Sequence, residues 1–108
     1  MKGTYLGEFE EVVLLTVAML GNLAYGITVK EEVETRTKRE INLSAVHATL
    51  YRLEKKGFLN SELGEATKLR GGKRKRIFNI TPYGVKSLKE AKSLREGIWS
   101  SIPEYVLQ

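Results

Sequence analysis

Leu43-Ser44-Ala45-Val46-His47-Ala48-Thr49-Leu50-Tyr51-Arg52-Leu53-Glu54-Lys55-Lys56-Gly57 is the stretch on which the fold turns. Val46, Leu50 and Leu53 recur at i, i+4 and i+7, which places them on one face of a helix and anchors that face in a core. The other side offers Ser44, His47, Ala48, Tyr51, Arg52 and Lys55. Ser44 is an acceptable N-cap, and Gly57 is well placed for a left-handed C-terminal cap. The helix is thus bounded at both ends and two-faced, with a basic outer side.

Two more helices precede it. From Glu8 to Gly21 the residues Phe9, Val12, Val13, Thr16, Val17 and Leu20 keep helical spacing, and Glu8, Glu10 and Glu11 sit where a helix N-terminus favours negative charge. The other side of this helix carries Leu14, Leu15, Ala18 and Met19, so it is apolar nearly all round and needs cover on two sides. One small domain can hardly supply both covers, which points to a partner chain. The second helix is predicted from about Ile27 to Thr37, with Ile27, Val29 and Val33 inward and Lys30, Glu31 and Glu34 outward.

After Gly57 the texture changes. Phe58, Leu59, Ser61 and Leu63 read as one short strand, and Ile77, Phe78 and Ile80 with Arg76 and Asn79 as a second, both half-buried. The hairpin between them has a long loop from Gly64 to about Lys75. It contains Gly71 and Gly72, and six of the nine residues from Lys68 to Arg76 are Lys or Arg. Thr81 and Pro82 read as N-cap and N1 of a last helix. Along it Leu88, Ala91, Leu94, Ile98 and Ile102 form an apolar stripe flanked by Trp99, with Lys86, Lys89, Glu90, Lys92 and Glu96 largely outside it. Nothing follows to cover that stripe, so it packs on the first helix or on another subunit.

Composition narrows the function. The chain has 108 residues, 42% hydrophobic and 29% charged, which suits one compact domain. Cysteine is absent and histidine occurs once, so neither a thiolate zinc site nor an imidazole cluster is available. The apolar run from Val12 to Leu20 is well short of the roughly 20 residues that span a bilayer. The start of the chain lacks a signal-peptide pattern, so a cytoplasmic location is expected. The acidic residues fit a helix dipole or a solvated face rather than an acid/base pair in an apolar pocket, and with one His a nucleophile has no base. Neither a catalytic role nor a cofactor is expected.

The charge is segregated. Residues 1–34 carry six acids against two bases, whereas 66–76 carry six bases and no acid, within a net charge of +5. A polyanion is the expected partner. Three helices followed by a two-stranded hairpin, with the third helix and the hairpin loop both basic, form the pattern of a winged helix-turn-helix. The third helix is slim enough for a DNA major groove, while the hairpin tip reaches the neighbouring backbone. Ser44, Ala45, His47 and Ala48 are best placed for base edges, and Tyr51, Arg52 and Lys55 suit phosphates. In the wing Arg70, Lys73, Arg74, Lys75 and Arg76 face the backbone.

Blander readings exist for each feature. A basic helix face is usually only solvated, a basic glycine-containing loop is often only a soluble hairpin, His47 reads equally as a surface residue with no task, and Trp99 is more often packing than a ligand platform. The co-occurrence of helix and loop at winged-helix spacing reverses the first two. A module that binds nucleic acid without sequence preference, or serves as a protein adaptor, is the alternative reading.

The order and spacing of several short pieces make the chain resemble the PadR family of transcriptional regulators, specifically its short winged-helix members. These are Leu6-Gly7-Glu8-Phe9-Glu10, Ala24-Tyr25-Gly26, Leu43-Ser44-Ala45-Val46, Leu50 with Arg52-Leu53-Glu54 through Gly57, Gly71-Gly72-Lys73, and Thr81-Pro82 with Gly84. One position departs: after Val46 the family usually has Tyr, here His47, with Tyr51 one turn further along the same face. The resemblance implies a mainly α fold with a small β-hairpin. Residues 1–81 form the winged helix-turn-helix DNA-binding domain and residues 82–108 a C-terminal dimerisation helix. It further implies a homodimer that represses transcription from an inverted-repeat site on double-stranded DNA, with Leu14, Leu15, Leu88, Ala91, Leu94, Ile98, Trp99 and Ile102 at the interface. Some relatives respond to small aromatic molecules between the subunits, for which Trp99 is the candidate stacking surface.

Overall fold

The computed structural model describes residues 6–64 and 74–108, so Arg70 and Lys73 of the expected wing, with Gly71 and Gly72, lie outside the described residues. Among the described residues the order is α1 (Glu8–Leu20), α2 (Gly26–Thr37), α3 (Leu43–Lys55), β1 (Leu59–Leu63), β2 (Arg76–Ile80) and α4 (Pro82–Ser100). Short 3-10 turns occur at Gly21–Leu23 and Glu104–Val106. This is a winged helix-turn-helix, mainly α with one small hairpin. Among the described residues no helix is long and apolar enough to cross a membrane.

The core lies where the first three helices meet the hairpin. Val13, Leu14 and Val17 from α1, Val29 and Val33 from α2, and Val46, Leu50 and Leu53 from α3 close on Phe58, Leu59 and Phe78. Each such side chain contributes about 1.5–3 kcal/mol by leaving water. Leu14 corrects an expectation: it is 0% exposed within the chain's own core and has no surface to offer a second subunit. The outer side of α1 is Leu15, Ala18 and Met19, all exposed.

Local polar groups set the helix ends. The N-cap of α3 is Asn42 rather than Ser44: the Asn42 side chain accepts from the Ser44 amide at 2.8 Å, leaving Ser44 inside the first turn. At the other end Gly57 takes the left-handed conformation (φ 88°). Its amide donates to the Glu54 carbonyl and the Phe58 amide to the Leu53 carbonyl, both at 3.0 Å. This Schellman pair turns the chain straight into β1. Thr81 caps α4 as expected, accepting from the Gly84 amide at 3.0 Å while its hydroxyl donates to the Gly57 carbonyl at 2.7 Å.

The turn between α2 and α3 has its own clasp. Lys38 closes α2 in the left-handed region (φ 60°). Glu34, expected on a solvated face, is half-buried instead and accepts from the Ile41 amide at 2.8 Å and from Lys30 Nζ at 3.0 Å. The Ile41 amide first, then the Lys30 ammonium, hold its carboxyl below the usual carboxylate range.

The strands pair antiparallel, with Leu59 opposite Ile80, Ser61 opposite Phe78 and Leu63 opposite Arg76. Beyond the hairpin the Phe78 amide donates to the Ala24 carbonyl at 2.8 Å, which docks β2 on the segment just before α2. Helix α4 then leaves the core. The radius of gyration is 16.1 Å against about 13 Å for a compact chain of this length, and the long axis is 58 Å. The helix ends at Ser100, so Ile102 lies past it rather than on its stripe.

A buried carboxylate ties α1 to α3. Glu10 accepts from Arg52 Nε at 2.9 Å, from Lys56 Nζ at 2.9 Å and from the Gly7 amide at 3.1 Å. Burial pushes its carboxyl up, but the hydrogen bonds from Lys56, Arg52 and Gly7 outweigh it and bring the pKa from 4.5 down to about 2. Above pH 4.5 the carboxyl is ionised whether folded or not, and the contribution is complete; as pH falls from 4.5 towards 2 only the unfolded chain takes the proton, and the contribution is lost. Glu10→Gln is therefore expected to cost about 1–2 kcal/mol at neutral pH and to flatten the acid limb of a stability-against-pH curve in that window. Chemical denaturation across a pH series measures both; a limb as steep as in the parent would remove Glu10 from this role.

Candidate nucleic-acid interface

At about 100° per residue the buried side chains Val46, Thr49, Leu50 and Leu53 cluster on one side of α3. Ser44, Ala45, Ala48, Tyr51, Arg52 and Lys55 fall on the opposite side, and all six are exposed. Lys55 makes no ion pair among the described residues. The outward face begins with small residues and ends in cations.

His47 sits at the edge of this face rather than on it. Its ring is half-buried against the start of α2: a Cβ added at Gly26 would lie 2.5 Å from His47 Cε1 and 2.6 Å from Nε2. The ring faces Tyr51 at 6.2 Å, and Tyr51 in turn meets Phe78 of β2 edge-on at 5.7 Å. The glycine of the Ala24-Tyr25-Gly26 piece thus has a steric reason, because α2 and α3 approach through an imidazole that leaves no room for a methyl group. Nδ1 of His47 is buried without a hydrogen-bond partner among the described residues.

The hairpin brings one of its cations, Lys75, to the start of α2. Lys75 Nζ donates to the Tyr25 hydroxyl at 2.9 Å and lies 4.1 Å from the centre of its ring. Arg74 Nε donates to the Gly64 carbonyl at 2.8 Å, and Arg76 to Ser61 Oγ at 3.1 Å. Ser61 itself donates to Glu54 at 2.7 Å, so Arg76 is drawn into a chain that ends on α3. Arg52 is also partly engaged, with Nε on Glu10 and half of its side chain exposed.

Three residues that sequence reasoning left without such a task therefore shape the interface. Tyr25 was legible only as part of a short piece. Glu10 lies 42 positions from Arg52, and no local spacing signals a pair at that separation. Glu34 follows helical periodicity like any solvated acid, and only the return of the chain to Ile41 gives it a partner. Among the described residues no group of three or more His, Cys, Asp or Glu is placed to hold a metal.

A model of the transcriptional regulator PadR-like family matches residues 14–90. The chain belongs to the PadR-like family. Among solved structures, a PadR-like transcription factor from Bacteroides fragilis superposes with a TM-score of 0.73 at 17% identity, covering 86% of this chain and 84% of that one. A PadR-like transcriptional regulator from Bacillus cereus gives 0.72 at 19% identity, with 93% and 91% covered. A transcriptional regulator from Clostridium thermocellum gives 0.63 at 25% identity, with 87% and 92% covered. No curated protein matches the sequence. Membership makes the protein a DNA-binding transcriptional regulator, and PadR-like proteins work as transcription factors rather than enzymes.

The α2–α3 contact gives a prediction for this PadR-like chain. Gly26→Ala forces the His47 ring outward and is expected to cost about 1–2 kcal/mol, as overpacking does. In a His47→Ala background the same change should cost less than half as much. A double-mutant cycle by urea denaturation measures the coupling; equal costs in both backgrounds would show that the ring is not what Gly26 accommodates.

Proposed function

We propose that the protein is a homodimeric repressor that occupies an inverted-repeat operator, each subunit placing α3 in a major groove and the root of its hairpin against the flanking backbone. The observation that carries this is the outward face of α3, apolar or small at its start and cationic at its end, beside the cations of the hairpin. Ser44, Ala45 and Ala48 read bases; Tyr51, Arg52, Lys55 and Arg74 to Arg76 meet phosphates, and Arg70 and Lys73 extend that contact from the wing. His47 supports the groove-facing helix from its edge.

The C-terminal segment, residues 82–108, serves as the dimerisation helix that meets a second subunit. Leu94, Ile98 and Trp99 on α4 are 66%, 61% and 63% exposed, and Leu15 and Met19 on α1 are about half exposed. That is a continuous demand for apolar cover on a helix that projects from the core, which a second copy of the same helix meets by two-fold symmetry. Leu88 and Ala91, partly buried, mark where the helix leaves its own core, and Ile102 caps the far end. Two third helices related in this way would address half-sites about 34 Å apart, one turn of DNA.

An apolar hollow of about 280 Å³ between α1 and α4, lined by Glu11, Leu15, Leu88 and Trp99 among others, suits a small flat aromatic effector. Glu11 is ion-paired there with Arg95 at 2.5 Å, so one wall of the hollow is held in place.

Footprinting on DNA from the chain's own promoter is expected to protect an inverted repeat, with binding that survives excess random duplex. Loss of binding to competitor would favour the non-specific module instead. Leu94→Asp combined with Ile98→Asp should yield a monomer in sedimentation and weaken operator binding at least tenfold, leaving the thermal transition of the core in place; an intact dimer would exclude this face. Titration with flat aromatic compounds should quench Trp99, the single tryptophan, with a compound that also releases DNA. Absence of any such compound would remove the effector.

A further inference from the structure

Tyr25 and Lys75 stand 50 positions apart and meet at the seam between the start of α2 and the root of the hairpin. The Lys75 ammonium donates to the Tyr25 hydroxyl at 2.9 Å and rests 4.1 Å from the ring centroid. Both side chains are half-buried, so neither is a freely waving surface group. Backbone hydrogen bonds fix the seam on both strands of chain. The Phe78 amide donates to the Ala24 carbonyl next to Tyr25, and the Gly64 amide donates to the Lys75 carbonyl at 2.6 Å. The Tyr25 amide is held in turn by Thr28 Oγ1 at 3.0 Å.

A phenol carries one donor and acceptor capacity, and here its oxygen accepts from lysine, so its own hydrogen remains to be given. A lysine ammonium carries three donors, of which one is used. The remaining donors of both groups are left beside the start of α2, one residue from the Gly26–His47 contact that borders the outward face of α3. No carboxylate is paired with Lys75 among the described residues.

We propose that Tyr25 and Lys75 form a clamp for one backbone phosphate of duplex DNA. Tyr25 acts in it as a positioning residue that holds the Lys75 ammonium by hydroxyl and ring face, and as a second donor to the same phosphate oxygens. This rests on the DNA-binding reading given above and adds a residue to it. A restrained ammonium loses little side-chain entropy on meeting its anion, which is why an aromatic seat raises the value of a cation that is otherwise an exposed tether. A phosphate contact carries no base information, so the clamp contributes equally on operator and on random duplex.

The test uses the full chain with Lys75→Ala, Tyr25→Phe and the double variant, each measured for affinity on the inverted repeat and on random duplex across a salt series. Lys75→Ala should weaken binding about fivefold to tenfold on both DNAs and lower the salt slope by roughly 0.9, the loss of one phosphate contact. Tyr25→Phe keeps the ring and the backbone cap of α2 and should weaken binding about threefold with an unchanged thermal transition, while Lys75→Arg should retain the parent salt slope. The double variant should be no more than about twofold worse than Lys75→Ala alone, because the hydroxyl acts chiefly by holding the ammonium and only weakly as a donor of its own. Losses that multiply, or a Tyr25→Phe variant that binds like the parent, would overturn the clamp. Parent protein that binds random duplex without preferring the inverted repeat would overturn the operator proposal while the clamp is still decided on random duplex. Parent protein that binds no duplex would overturn both.

Discussion

One helix has to be buried and offered at the same time, and the rest of the molecule is arranged around that requirement. Val46, Leu50 and Leu53 are fully buried, and their removal from water fixes the rotation of α3 about its own axis. A helix held by one face has no freedom to choose what the other face presents. Ser44, Ala48, Tyr51 and Lys55 point outward because the core leaves them no alternative.

Rotation alone does not fix tilt, and polar contacts complete the placement. Glu10 grips Arg52 and Lys56 near the C-terminal end of α3. Asn42 caps its start, and Glu34 closes the turn that delivers it. The His47 ring wedged over Gly26 sets how closely α2 and α3 approach. The hairpin is added to this frame through Tyr51 on Phe78 and Lys75 on Tyr25, so the cations of the hairpin root keep a fixed relation to the helix they flank.

The same α1 that anchors α3 also faces the projecting α4. Its successive acids reach in different directions, Glu10 to α3 and Glu11 to Arg95 on α4. Exposed apolar residues on α1 and α4 border the hollow that contains Trp99. Helix α1 therefore has the basic outward face of α3 on one neighbour and the uncovered apolar surface of α4 on another.

Much of this was legible in local patterns, because those patterns report local physics. The 3.6-residue spacing of Val46, Leu50 and Leu53, the period-two texture around Phe78, Gly57 after α3 and Thr81-Pro82 before α4 each follow from constraints acting within a few residues, and elements and boundaries come out nearly as expected. The basic face of α3 is equally local. What the chain alone left open involves residues far apart in number. Leu14 falls on the apolar outer side of a helical wheel, yet the three-helix packing closes over it. Asn42 rather than Ser44 caps α3 because the turn from Lys38 delivers its side chain to the Ser44 amide. Glu10 and Tyr25 find Arg52, Lys56 and Lys75 only once the helices and hairpin meet, since no spacing rule operates across 40 or 50 positions. Periodicity and caps are short-range consequences of backbone geometry and sequence determines them; partners of buried charge and the seats of cations depend on which surfaces the core brings together, and that only the tertiary structure decided.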